Sequence, residues 1–423
     1  MDVVLLLGAI LLVGFIGRIV NTYTRIPESI FMLLIGLTLG PILRLVDPTA
    51  FVQYERLGVT ATLVIMIIDN CLSLDVYRTT LTFNRAFQFT LLVLVLTTGF
   101  VGYFMYLAGW GLLPAVLLGV LSSGTTTLAA YTLLARLDVS DKVRQLMNME
   151  SVLNDSFIIT CAIIVLQLIG IGTFDPHELV GALASPLLIS LGLGVLFAVL
   201  WVQALWIIEN VERWSYIFTL GLLFILYATV EAFNGNGGIA VLVAGLTLVI
   251  LPATVRRFST YPRDVTVQYG ALRVNPTRLR RLQDRFDAVI DKVRNAQVNF
   301  AFIAENFFFV YFGILFDPTR LTTTLIGLSG VLVLLIFVSR YLSARVVGLI
   351  DREVRREAVT LSIVVARSST AIVVALLPET MGIVIPLLKE MVLVMVLLSS
   401  LVTLIGLRLQ ERIGHGRAMV LQS

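Results

Sequence analysis

Apolar residues in this chain do not alternate with polar ones at the two-residue spacing of a strand, nor do they mark a single helical face. They run in nearly unbroken blocks separated by short polar connections. Each block has about 17 to 25 residues, enough for a helix to cross the hydrocarbon layer of a bilayer. The blocks fall near 3–22, 28–44, 57–76, 87–108, 112–135, 147–172, 179–208, 214–233, 237–254, 297–316, 321–344, 357–378 and 384–408. The pattern predicts an all-α polytopic membrane protein of thirteen transmembrane helices. Composition agrees: 58% of residues are hydrophobic and only 14% are charged, whereas a soluble domain carries about a quarter charged residues. The first block has no basic residue before it and no small-residue cleavage site behind it, so it reads as a retained helix and not a signal peptide.

Charge placement sets an expected orientation. Of 31 Lys and Arg residues, 26 are assigned to one alternating set of connections, including ten in 255–296, five from Arg340 to Arg356, and Arg408, Arg412 and Arg417 in the tail. The opposite set holds Arg44, Arg56, Arg320 and Lys389, and Arg367 falls inside a span. By the positive-inside rule the N-terminus is expected outside and the C-terminus in the cytoplasm. The expected division is a first membrane part at 1–254, a basic cytoplasmic connector at 255–296, a second membrane part at 297–410 and a cytoplasmic tail at 411–423. Within the connector, Arg278-Leu-Arg-Arg-Leu-Gln-Asp-Arg-Phe-Asp reads as an amphipathic helix.

The two membrane parts echo one another. Gly36-Leu-Thr-Leu recurs as Gly245-Leu-Thr-Leu, and segment 70–76 loosely matches 312–318. Equivalent segments stand seven helices apart and so cross the membrane in opposite senses, the inverted-repeat plan of many secondary transporters, with a site expected near the midplane. The fifth span carries Ser122-Ser-Gly-Thr-Thr-Thr127 and the twelfth Ala366-Arg-Ser-Ser-Thr-Ala371. Both are expected to be broken helices that cross, because irregular backbone at that depth is tolerated only against protein or a cavity.

Ionisable residues inside spans are costly and therefore functional candidates. Asp155 lies deep in the sixth span, where burial favours its protonated form and a bound cation its charged form, so protons and cations can compete for it. Asn154 beside it adds an amide without a second titrating charge. Arg367 needs a counter-charge, and Glu150 is the expected partner in a structural ion pair. Asp69 is a second candidate ligand, while Ser151, Glu305, Ser368 and Ser369 are expected around the cavity. The two histidines, His177 and His415, lie outside the spans, which excludes a buried histidine relay. No zinc motif, phosphate loop or nucleophile and base pair occurs in the spans, so no enzyme, cofactor or metal beyond a transported monovalent cation is expected. The net charge of +4 follows membrane topology and does not point to nucleic acid.

At these residues the chain resembles the monovalent cation/proton antiporters, specifically the thirteen-helix sodium/proton exchanger branch. Glu150-Ser-Val-Leu-Asn-Asp155 is close to that branch's Glu-Ser-Leu-Leu-Asn-Asp signature, and support comes from Asp69-Asn-Cys-Leu-Ser-Leu-Asp75 and from 307–313. The resemblance implies a homodimer in the plasma membrane, an elevator-like movement, sodium or lithium exchanged for protons at Asp155, and electroneutral stoichiometry from the Asn-Asp pair. It also implies that Asp69 can contact the cation. The chain departs from the family at Thr125, Thr126 and Thr127, where Thr-Asp-Pro is usual, so hydroxyls are expected to complete the cation shell. Potassium/proton exchange, and a channel or signalling protein on the same scaffold, are the alternatives.

Overall fold

The computed structural model describes residues 3–24, 28–46, 49–73, 80–125, 139–172, 176–207, 215–259, 267–269, 272–274 and 276–422. Among them, eight helices are long and apolar enough to cross a membrane, and five shorter apolar helices stand at the remaining predicted places. In chain order the helices are α1 (Val3–Thr24), α2 (Glu28–Leu37), α3 (Thr49–Ser73), α4 (Thr80–Leu107), α5 (Leu112–Leu121), α6 (Asp141–Ile171), α7 (Pro176–Ile207), α8 (Ser215–Ala232) and α9 (Gly237–Ser259). They continue with α10 (Pro276–Ile314), α11 (Thr323–Val347), α12 (Arg352–Arg356), α13 (Ala358–Ile363), α14 (Ser369–Thr380) and α15 (Leu388–Gln422).

Local chemistry sets several of these ends. The Thr322 hydroxyl accepts from the Leu325 amide at the start of α11, and Ser140 does the same for Val143 at the start of α6. Gly172 ends α6 in the left-handed conformation, at φ 68°, where a side chain would be strained. Pro176 opens α7 at a position that has no use for an amide hydrogen.

The polar segment departs from the expected division. A short antiparallel hairpin pairs Val267 with Val274 and Tyr269 with Leu272. After it, α10 runs without a break from Pro276 to Ile314, so the compositional boundary at 296/297 is not a helix boundary. The reason is visible in sequence: Leu279, Leu282, Phe286, Val289 and Val293 keep one helical face apolar into the span, with no Gly or Pro to stop the helix.

Contacts divide the chain into two compact units. Unit 1 comprises Met1–Leu63, Leu81–Asp175 and Phe302–Ser423; unit 2 comprises Val64–Thr80 and Pro176–Ala301. Each contains one close helix contact at a repeated motif. In unit 1 a Cβ at Gly36 of α2 would run into Val310 and Gly313 of α10, and in unit 2 a Cβ at Gly245 of α9 would run into Cys71 of α3. Under the repeat, α2 corresponds to α9 and α10 to α3, so the two contacts are the same contact seen in each half. Small residues permit the backbone approach that helices in lipid depend on.

Candidate functional site

The fifth and twelfth apolar segments are interrupted. Helix α5 ends at Leu121, where the Ser122 and Ser123 hydroxyls donate back to the carbonyls of Leu118 and Val120 at 2.6 and 2.8 Å. Such side-chain bonds compete with the next helical turn. The twelfth segment is α13, a non-helical stretch at 364–368, and α14. There a hydroxyl of α15 substitutes for helical bonding: Thr403 accepts from the Val365 amide at 3.0 Å and donates to the Ile363 carbonyl at 3.1 Å.

Arg367 ties the two interruptions together. Its Nε donates to the Val365 carbonyl at 2.8 Å, and a terminal nitrogen donates to the Ser122 carbonyl. The guanidinium therefore lies at the C-terminal ends of α5 and α13, where exposed carbonyls concentrate partial negative charge. Beyond them, a Cβ on Gly124 would stand 3.0 Å from the Ser368 hydroxyl and 2.6 Å from the Ile158 Cδ1, so a side chain there would require Ile158 to shift.

Helix α6 supplies the acidic groups. Glu150, Ser151 and Asn154 are fully buried and Asp155 is 6% exposed. With 3.6 residues per turn, Glu150 and Asn154 share one face, and Ser151 and Asp155 share the next. The first face holds the fifth segment: Asn154 Nδ2 donates to the Ser123 carbonyl at 2.7 Å and Ser123 Oγ donates to Asn154 Oδ1 at 3.3 Å. On the second, Ser151 Oγ donates to the Thr125 carbonyl at 2.7 Å.

The Glu150 carboxylate is occupied on every side. Arg340 approaches as a fork, Nη1 to Oε1 at 3.0 Å and Nη2 to Oε2 at 3.3 Å, while Thr125 Oγ1 donates at 2.9 Å and Asn154 Nδ2 at 3.2 Å. Both members of the pair are 0% exposed. Arg340 is further fixed by the Leu361 carbonyl at 3.1 Å and by the Phe89 ring 5.5 Å below its guanidinium.

This corrects the expected Glu150–Arg367 pair. Glu150 is bound to Arg340, a residue assigned from sequence to a cytoplasmic connection, and Arg367 is held by carbonyls. The assignment failed because Arg340 lies near the polar end of its helix, where arginines commonly reach water. The signal that could have found it is its place inside the span, with Ser339 and Ser343 beside it at helical spacing. Both serines are buried, and Ser339 meets Thr97 at 2.6 Å.

Of the other expected site residues, Ser368 is buried at the crossing, and Ser369 at the start of α14 donates to Glu305 Oε1 at 2.8 Å. Asp69 lies on α3 in unit 2. Thr126 and Thr127 lie outside the described residues. Among the described residues no cluster of three or more His, Cys, Asp or Glu side chains is arranged to hold a metal ion.

The two buried carboxylates of α6 differ in their surroundings. Glu150 is bonded to a guanidinium and two neutral donors. Asp155 lies a little over one turn further along α6, on the neighbouring face that it shares with Ser151.

Known proteins resemble this chain in sequence profile and in fold. A sequence profile described as sodium/hydrogen exchanger, transmembrane, matches residues 5–409. A solved structure of the sodium proton antiporter MjNhaP1 from Methanocaldococcus jannaschii at pH 8 superposes with a TM-score of 0.67 at 15% identity, covering 97% of each chain. An electron-microscopy structure of the same antiporter gives 0.64 at 15% identity, covering 98% of this chain and 97% of that one. At that identity the likeness is one of fold. A comparison with curated proteins finds no match.

Proposed function

The chain belongs to the sodium/hydrogen exchanger family, and from that premise we propose that it exchanges sodium or lithium for protons by alternating access, with Asp155 holding each ion in turn. The observation that carries this reading is the saturation of Glu150. Its carboxylate is committed to Arg340, Thr125 and Asn154, and we therefore assign the exchange to Asp155, the other buried carboxylate of α6.

Asp155 in low dielectric favours the proton, and a dehydrated cation reverses that preference by supplying the missing charge. Ser151 on the same helical face, and oxygens of the fifth segment around Thr125, are the ligands proposed to complete the shell, with Asn154 holding that segment in place. One titrating carboxylate carrying one cation or one proton gives electroneutral exchange. We place the protein in the plasma membrane with its N-terminus outside, as a homodimer serving pH homeostasis, on the distribution of its basic residues and its family.

Reconstitution into proteoliposomes with an internal pH dye tests the reading. Under an imposed proton gradient, sodium should drive proton movement in the native protein, and Asp155→Asn should reduce it at least a hundredfold while remaining folded. Movement driven by potassium and not sodium would transfer the assignment to potassium. Cation conductance without proton movement would sink exchange altogether.

A further inference from the structure

Helix α11 keeps one apolar face exposed along its second half. Val331, Leu334, Val338, Leu342 and Val346 follow one another at steps of three and four, the spacing of a single helical face. With 25 residues the helix is about 37 Å long, against about 30 Å of hydrocarbon in a bilayer, so its ends reach the headgroup layers. Just past its last turn, Leu349 and Ile350 are 77% and 64% exposed.

Four arginines stand around that turn: Arg345 in the last turn of α11, and Arg352, Arg355 and Arg356 in α12, all of them exposed. The chain folds back here at Gly348, where a Cβ would stand only 2.7 Å from the Arg355 Cβ, so α12 lies against the end of α11. The carboxylates of the same stretch are engaged elsewhere. Asp351 holds Lys142 at 2.6 Å, Glu353 accepts from Ser140 at 2.9 Å, and Glu357 accepts from Thr360 at 2.9 Å. Among the described residues none of the four guanidiniums is in an ion pair with a carboxylate. Like charges gathered without a counter-charge repel one another, and here they adjoin exposed apolar side chains. An anion with an apolar body satisfies both features.

We propose that the turn from Arg345 to Arg356 binds an anionic phospholipid, its phosphate held by the guanidiniums and its acyl chains lying along the exposed face of α11. The planar fork of arginine matches phosphate oxygens, and Leu349 and Ile350 would enter the layer below the headgroup. A free phosphate or an acidic polypeptide would leave that apolar face unused. Since Lys142 ties the start of α6 to Asp351 in this turn, the lipid would also brace the helix that carries Glu150 and Asp155. On the orientation proposed above the leaflet is the cytoplasmic one. The site goes beyond the exchange reading and does not depend on which cation is carried.

Binding of radiolabelled phosphatidylglycerol to the detergent-solubilised full-length chain provides the test. The native protein should bind it saturably, while phosphatidylcholine, inorganic phosphate and polyglutamate should displace it poorly. Arg352→Gln with Arg356→Gln should weaken binding about thirtyfold, at about fivefold for each charge. Leu349→Ser leaves every charge in place and should weaken it about tenfold. Arg44→Gln with Arg56→Gln removes the same charge from other exposed positions and should leave binding within about twofold. Equal weakening by that control pair would reduce the effect to net charge and overturn the site. Binding indifferent to Leu349→Ser would do the same, and this variant decides the matter should the Arg352 and Arg356 pair fail to fold. Full displacement by inorganic phosphate or by polyglutamate would make the occupant a free anion or an acidic polypeptide, and overturn the lipid.

Discussion

Two acid and base ties join α6 to the segment that follows Val331, one in the interior and one at the rim. Inside, Glu150 meets Arg340 with neither side chain exposed. At the start of α6, Lys142 meets Asp351 at 2.6 Å and lies 3.9 Å from Glu353, and Ser140 donates to Glu353 Oε2 at 2.9 Å. Lys142 is 39% exposed. Charge is identical in the two places, but the medium is not. At the rim, Lys142 keeps water if Asp351 is lost, and Asp351, though only 8% exposed, keeps the Glu353 amide if Lys142 is lost, whereas in the interior a lone charge has only protein around it. Breaking the inner tie from one side should therefore cost more than breaking the outer one.

The largest expected effect comes from removing one member of the inner pair. Arg340→Met should strand the Glu150 carboxylate and destabilise unit 1 by about 3 to 5 kcal/mol, seen as a large fall in the melting temperature of the detergent-solubilised protein. Removing both charges together, Arg340→Met with Glu150→Gln, should recover much of that loss, because no uncompensated ion remains. A double variant as unstable as the sum of the singles would mean that the charges act independently and that the comparison between interior and rim is wrong.

A middle effect is expected at Thr125, the neutral donor to the same carboxylate. Its Oγ1 lies 2.9 and 3.0 Å from the two Glu150 oxygens. Thr125→Val keeps the shape and removes the donor, so the loss should be about 1.5 to 3 kcal/mol, the range for a hydrogen bond to a charged group. Since the Thr125 carbonyl is held by Ser151 regardless of that side chain, cation affinity should change less than stability. An affinity change larger than the stability change would assign the Thr125 hydroxyl to the cation shell, in addition to the carboxylate.

The contrast between interior and rim also explains what the sequence disclosed. Thirteen apolar segments were legible because the bilayer sets their length, and Glu150, Asp155 and Arg367 stood out because charges are rare at that depth. The partner of Glu150 was not legible, since Arg340 is 190 residues away and the choice between two arginines depends on how helices fold together. Rim logic was applied to an interior residue: Arg340 looked like one more basic residue at a helix end. The interruptions were anticipated from Ser122, Ser123 and Ser368, but which carbonyls they leave open is a three-dimensional matter. The unbroken run of α10 was missed because composition changes near 296 while the apolar face does not.

The smallest effect separates charge from capping at the rim. Burial alone would raise the Asp351 carboxyl, but the Lys142 hydrogen bond and the Glu353 and Val354 amides outweigh it and hold the group below its ordinary value. A carboxyl depressed in the folded state contributes stability that is fully present above its unfolded value, about 3.9, and is lost as pH falls through the lower folded value. The contribution should therefore be constant from pH 5 to pH 8 and disappear only in strong acid. Asp351 Oδ1 also accepts from the Glu353 amide at 3.1 Å, capping α12, and asparagine can keep that bond. Asp351→Asn should thus lower stability by about 0.5 to 1 kcal/mol at neutral pH, less at high salt, with the difference shrinking as pH falls below about 3.9. A difference that ignored both salt and pH would mean that the Asp351 charge is not what stabilises the rim. The rim tie would then resemble the inner one only in geometry.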